Sequence, residues 1–116
     1  MARTIPDPDC PLLYASNLLS GKWKIRLLWL IVQEAPLRFS ELKRQLPGIS
    51  DLALSKCLKE FVESGIIQRI SYDEVPPRVE YSLTENGKNL VNALSAIRIW
   101  SRKQIPEEHS AKPHSS

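Results

Sequence analysis

One stretch, residues 40–83, constrains the fold more than any other part of this chain. Its pattern divides, in order, into a short helix (40–46), a Pro-Gly turn (47–48), an amphipathic helix (50–65) and two strand-like segments (66–73 and 78–83). A helix, a tight turn, a second helix and an adjoining hairpin follow the winged helix-turn-helix order. We therefore predict a mainly α-helical protein with a small β-hairpin, an α+β winged helix-turn-helix.

Three further helices are predicted around this stretch. One begins near Pro11 and stops at Gly21, one runs from Lys22 to Glu34, and the last follows Thr84 as its N-cap. In the helix 22–34, one apolar stripe comprises Trp23, Leu27, Leu30 and Ile31, and a second comprises Ile25, Trp29 and Val32. Residues 37–39 are predicted as a short strand, and Ser40 is predicted as the N-cap of the helix that follows.

The length of 116 residues fits one domain, which we place at 11–105 between an N-terminal arm (1–10) and a flexible tail (106–116). The chain carries a formal net charge of +3, and the predicted domain holds 14 basic and nine acidic residues. A mildly basic domain permits binding to nucleic acid, although solvated surface lysines produce the same balance.

The sequence lacks the residues that several classes of function require. No nucleophile–base pair or carboxylate pair stands out, so neither an enzyme activity nor a cofactor is predicted. His109 and His114 lie far along the chain from both cysteines, and no metal site is predicted. The sequence shows no signal-peptide pattern and no apolar run that could cross a bilayer. We therefore expect a cytoplasmic protein without membrane contact, whose Cys10 and Cys57 form no structural disulfide framework.

The helix that follows Ser50 is the candidate DNA-reading element, because the major groove admits one α-helix and displays a distinct pattern for each base pair. Lys56 is expected to reach a base edge, whereas Arg78 follows two prolines and suits the backbone or a narrow minor groove. Asp51 is expected to support the helix N-terminus rather than to touch DNA. The predicted DNA contacts are Ser40, Ser50, Leu52, Ala53, Ser55, Lys56, Lys59, Pro77 and Arg78.

Five motifs resemble those of the HxlR-type winged-helix regulators, and together they cover roughly residues 10–100. They are Cys10-Pro11, Gly21-Lys22-Trp23-Lys24, Arg38-Phe39-Ser40-Glu41-Leu42, Leu46-Pro47-Gly48-Ile49-Ser50 and the ten residues from Val75 to Thr84. The resemblance implies a cytoplasmic, homodimeric repressor or activator that binds duplex DNA. It also implies that the first and last helices build the dimer. In some relatives, the cysteine that Cys10 matches senses oxidants or electrophiles.

Apolar residues on the first and last helices give a second reason to expect a homodimer. Trp100 and Ile99 lie away from the main apolar stripe of the last helix, and exposed apolar surface of this kind usually marks an interface. The predicted interface residues are Leu12, Leu13, Leu94, Ile97 and Trp100. In a dimer, two recognition helices about 34–36 Å apart would read an inverted-repeat operator.

The outward face of the helix 50–65 also supports a different class of function. Leu52 and Ala53 suit a protein-interaction module that does not bind DNA, whereas Lys56 and Lys59 suit DNA phosphates and bases. The salt dependence of binding separates the two hypotheses, because contacts to phosphates are weakened steeply by salt.

The two cysteines are predicted to differ in role. Cys10 precedes a helix N-terminus, which favours a reactive thiolate, but Asp7 and Asp9 oppose it. Two roles therefore remain open for Cys10. It is either a sensor that responds to an oxidant or another small-molecule effector, or an inert thiol. Cys57 lies at the edge of an apolar stripe and is predicted to be a small core residue.

Overall fold

A computed structural model describes residues 10–106 and contains, within them, five helices and one antiparallel hairpin. The elements are α1 (Pro11–Leu19), α2 (Lys24–Glu34), α3 (Phe39–Gln45), α4 (Asp51–Glu63), β1 (Ile67–Tyr72), β2 (Arg78–Leu83) and α5 (Glu85–Gln104). Apart from the short strand predicted at 37–39, the predicted order of helices and strands is confirmed, and the fold is a winged helix-turn-helix. Nearly all of the predicted arm (1–10) and tail (106–116) lies outside the described residues.

Local capping explains where α4 and α5 begin. The Ser50 hydroxyl oxygen accepts a hydrogen bond from the backbone N–H of Ala53 at 3.0 Å, as the sequence predicts for an N-cap. The Thr84 hydroxyl oxygen likewise accepts from the N–H of Gly87 at 2.9 Å. Each bond satisfies a donor that the first turn of a helix would otherwise leave free.

The start of α3 differs from the sequence prediction. The helix begins at Phe39 with Arg38 as its N-cap, so Ser40 lies in the first turn and is not the cap. Glu41 explains the shift, because its carboxylate accepts the backbone N–H of Arg38 at 2.9 Å. The predicted strand at 37–39 reduces to Leu37, which exchanges two backbone hydrogen bonds with Tyr81 of β2.

The buried stripe of α2 also differs from the predicted one. Its buried residues are Lys24, Leu27, Leu28 and Ile31, an i, i+3, i+4, i+7 pattern that includes a lysine. They pack with Leu42 of α3, with Leu54 and Phe61 of α4, and with Val91 of α5 in one core. Burying each large side chain stabilises the fold by about 1.5–3 kcal/mol.

The register of the hairpin assigns its side chains to two faces. Arg69 pairs with Tyr81, whereas Tyr72 pairs with Arg78 and Ile70 pairs with Glu80. Directly paired residues share a face and successive residues alternate between faces. Arg69 and Arg78 therefore lie on opposite faces of the hairpin.

The root of the hairpin connects α4, β1 and α5 at one point. The Thr84 hydroxyl donates to the carbonyl of Gly65 at 2.6 Å, and the Thr84 backbone N–H donates to the carbonyl of Ile66 at 3.0 Å. Gly87 lies directly against the Ile66 carbonyl, where the Cβ of any other residue would collide. The first turn of α5 is thus fixed to the residues that follow α4.

Candidate nucleic-acid interface

Helix α4 is held by one face and presents the other to solvent. Leu54 and Phe61 are fully buried beneath it, whereas Ser55 and Lys59 are exposed and Leu52 is 80% exposed. An amphipathic helix with a continuous exposed face is available to a groove. The structure therefore places most of the predicted contact residues of α4 on one accessible surface.

The predicted residues at the start of α4 have structural roles as well. Ser50 and Ala53 form the N-cap hydrogen bond, and Ala53 is half-buried. Asp51 lies 3.5 Å from the ammonium of Lys43, which in turn donates to the carbonyl of Ile49 at 3.1 Å. Asp51 and Lys43 thus connect the N-terminus of α4 to α3 through an exposed ion pair. Ser40 lies exposed in the first turn of α3.

The two lysines of α4 lie along different sides of the helix. Lys56 borders a cavity of about 540 Å³ between α4 and the α1–α2 connection, shared with Lys22. Lys59 borders a cavity of about 340 Å³ between α4 and the hairpin, together with Ser55 and Arg69. Arg69 does not appear among the sequence-predicted contacts, although it is exposed and basic.

A partly buried ion pair joins the back of α4 to α2. Lys24 is 8% exposed, and its ammonium contacts the carboxylate of Glu60 and donates to the carbonyl of Leu18 at 3.0 Å. The same ammonium lies 5.3 Å from the centre of the Phe61 ring. The hydrogen bond from Lys24 holds the pKa of Glu60 below its ordinary value.

Cys57 is a core residue, as the sequence predicts, and its burial raises the pKa of its thiol.

The arginine of the wing is engaged by its own hairpin. The guanidinium of Arg78 lies 2.9 Å from the carboxylate of Glu74 and 3.3 Å from that of Glu80. It also stacks over the ring of Tyr72, with 3.9 Å between the guanidinium carbon and the ring centre. At the tip itself, Pro77 is exposed. These two carboxylates would compete with DNA for the guanidinium of Arg78.

The predicted dimer residues divide into an exposed set and one core residue. Leu12 is 80% exposed, Trp100 is 63% exposed and Ile97 is 57% exposed, and Leu13 is also exposed. Leu94 is only 7% exposed and belongs to the core of the protomer. A largely apolar groove of about 930 Å³ runs between α1, α2 and α5, and Leu12, Ile97 and Leu94 line it.

Cys10 stands at the N-cap of α1, where it is exposed and makes no side-chain capping bond.

Among residues 10–106, no three potential ligands come together as a metal site. His109 and His114 lie outside the described residues. Over the same part of the chain, no helix combines the length and the apolar character that crossing a membrane demands.

A capped recognition helix with an exposed face, flanked by a two-stranded wing, defines a winged helix-turn-helix protein. The model of the HxlR-like helix-turn-helix family matches residues 18–109, and the chain belongs to this family of transcriptional regulators. An HTH-type transcriptional regulator of Halalkalibacterium halodurans is 41% identical over 95 residues, covering 82% of this chain and 84% of the relative.

Solved structures agree with this assignment. A MarR-family transcriptional regulator of Enterococcus faecalis V583 has a TM-score of 0.77 and 35% identity, covering 89% of this chain and 93% of that one. The redox regulator HypR in its reduced form also has a TM-score of 0.77, with 33% identity over 86% of this chain and 98% of its own.

Proposed function

We propose that this protein is a homodimeric regulator that binds duplex DNA sequence-specifically, with α4 in the major groove and the hairpin beside it. The observation that carries the proposal is the exposed outward face of α4, where Leu52, Ser55, Lys56 and Lys59 are free of the core. Lys56 can donate to guanine acceptors, and Leu52 can meet a thymine methyl. These contacts supply sequence readout rather than non-specific affinity alone.

A second copy of the chain is the proposed cover for the apolar groove between α1, α2 and α5. Leu12 and Trp100 project from the two helices that border it, and their exposure in a monomer would leave a large apolar patch in water. A two-fold dimer joined here presents two α4 helices to an inverted repeat, with half-sites about 34–36 Å apart.

Selection of duplexes from a randomised pool, followed by competition binding, tests the DNA proposal. Lys56→Ala is expected to relax the preference at particular base pairs, at a cost of about 1–3 kcal/mol against the best site. Lys88→Ala removes the same charge from α5 and serves as the control, because Lys88 borders the cavity on the Tyr72 side of the hairpin. An unchanged base profile in the Lys56 variant would show that this side of α4 does not read bases.

Sedimentation equilibrium tests the dimer. The protein is expected at twice 13.2 kDa at micromolar concentration. Trp100→Glu places a charge in the proposed interface and should produce monomers without unfolding, because Trp100 lies outside the protomer core. A wild-type species of 13.2 kDa alone would refute the dimer.

The 80% exposure of Leu52 favours a second candidate function, docking of a partner protein on α4. Salt separates the two functions. If the dimer contacts roughly 6–10 phosphates, its affinity for DNA should fall by about 10³–10⁵ between 50 and 200 mM salt. A specific partner protein bound with little salt dependence, and no duplex binding, would support the interaction module instead.

We also propose that oxidants or electrophiles act on the regulator through Cys10. The thiol is exposed at the N-cap of α1, next to the proposed dimer interface, and HypR is a redox regulator of similar fold. Treatment with a thiol oxidant should change the DNA affinity of the wild type but not that of Cys10→Ser. Cys57→Ala keeps the response if the proposal is correct, because the buried Cys57 is not the reacting thiol.

A further inference from the structure

A groove between α4 and the hairpin brings three polar side chains together. Ser55 and Lys59 line it from α4, and Arg69 lines it from β1. Apolar side chains complete the walls: Phe39, Leu58, Val62 and Tyr81. Glu63 is the acidic residue of the groove and lies two turns after Ser55, towards the C-terminal end of α4.

The cations of this groove differ from the cation of the wing. Arg78 is bound by two carboxylates, whereas neither Lys59 nor Arg69 forms an ion pair with any residue in the described part of the chain. Arg69 makes a single hydrogen bond, to the hydroxyl of Ser71 at 3.2 Å, one step towards the wing tip. Lys59 and Arg69 therefore have donors available for an anion.

The path of DNA past a winged helix identifies that anion. When α4 occupies the major groove and the wing tip approaches the neighbouring minor groove, the phosphate backbone that separates the two grooves passes between α4 and the hairpin. The groove that contains Ser55, Lys59 and Arg69 lies between α4 and the hairpin, where that backbone would pass. Arg78 faces the other side of the hairpin, away from that path.

We propose that Ser55, Lys59 and Arg69 form a phosphate-binding site for the DNA backbone on the flank of α4. The guanidinium and the ammonium neutralise the phosphate, and the Ser55 hydroxyl donates a hydrogen bond to it. Arg78 is then a positioning residue that shapes the wing. The inference rests on the proposed DNA-binding function and assigns a sequence-independent contact within it.

The salt dependence of duplex binding tests the site. Each lost phosphate contact lowers the slope of log K against log salt by about 0.9, so Arg69→Gln should lower it by about 1.8 in a dimer. The affinity of the variant then falls about tenfold less than that of the wild type between 50 and 200 mM salt. Lys59→Gln should behave alike, and neither should alter the preferred base sequence.

Two further measurements test whether the change in salt slope arises from a phosphate contact in this groove. Lys88→Gln removes one positive charge near the opposite face of the hairpin and should keep the wild-type slope. Duplexes in which single phosphates are replaced by neutral methylphosphonates should show one position per half-site that weakens the wild type. At that position the Arg69→Gln variant should lose less affinity than the wild type does, because it has already lost one of the two cations that contact this phosphate.

The outcomes separate this site from the function on which it rests. A wild-type slope in Arg69→Gln, with normal duplex binding, would overturn the phosphate site and leave the DNA-binding proposal standing. An equal fall in slope for Lys88→Gln would also overturn it, since the effect would then be one of net charge. Failure of the wild type to bind any duplex would overturn both.

Discussion

Removing the carboxylate of Glu60 should destabilise this protein more than removing the ammonium of Lys24. Lys24 is almost completely buried, and without Glu60 its charge would keep only the carbonyl of Leu18 as a partner. Glu60 has 38% of its side chain exposed, so water can solvate it when Lys24 is absent. Breaking a fully buried pair costs about 3–5 kcal/mol. Because this pair is partly open to solvent, we expect about 1–3 kcal/mol for Glu60→Gln and less than about 1 kcal/mol for Lys24→Met.

The loss of stability caused by Glu60→Gln should decrease as the pH falls. The pKa of Glu60 is lowered in the folded protein by its bond to Lys24, so the pair contributes stability above the unfolded pKa of about 4.3. That contribution is lost as the pH falls through the lower pKa of the folded state. The difference in free energy of unfolding between the wild type and Glu60→Gln should therefore be full at pH 7 and vanish in acid.

Urea unfolding at one fixed protein concentration measures these differences, since the proposed dimer would make stability depend on concentration. The Lys24→Met variant is the matched control, because it removes the other half of the same pair. Equal losses in the two variants, or a Glu60→Gln deficit that stays constant between pH 7 and pH 3, would refute the reasoning.

Three other substitutions test the local structure. Ser50→Ala removes the cap of α4 and should lower the free energy of unfolding by about 1 kcal/mol, measured by urea titration, and also weaken DNA binding. Gly87→Ala drives a methyl group into the Ile66 carbonyl and should destabilise by more than about 2 kcal/mol, measured by thermal melting. Arg78→Gln frees the Glu74 carboxylate and should speed hydrogen exchange in β2, while global stability falls by less than about 1 kcal/mol.

The fold was predictable because its signals are local. Ser50 and Thr84 begin α4 and α5 through hydrogen bonds that span three residues, and the Pro-Gly turn and the strand alternation are equally short-range. The predicted N-cap of α3 was wrong by two residues, Ser40 instead of Arg38, since Glu41 accepts the backbone N–H of Arg38. Choices between nearby cap positions of this kind depend on side-chain geometry that a pattern does not contain.

The site was less predictable because it depends on register and on long-range pairing. The clean alternation of strand β2 places Arg78 on the polar face of that strand. Only the pairing with β1 shows that Arg69 is the arginine beside α4. Lys24 lies three and four residues before Leu27 and Leu28, so the helical spacing in the sequence already places it on the buried face of α2. Its burial still required the partner Glu60, 36 positions away in the sequence.

The hydrogen bonds of Thr84 make the base of α5 a fixed pivot on the DNA-binding half of the protein. Helix α5 has 20 residues and is therefore about 30 Å long, so a rotation of about 10° at its base moves its far end by about 5 Å. In a dimer joined through α5, the same rotation displaces the two recognition helices relative to each other by more than one base-pair step of about 3.4 Å. In the proposed dimer, the angle at which α5 leaves Thr84 would therefore set which half-site spacing both copies of α4 can reach at once.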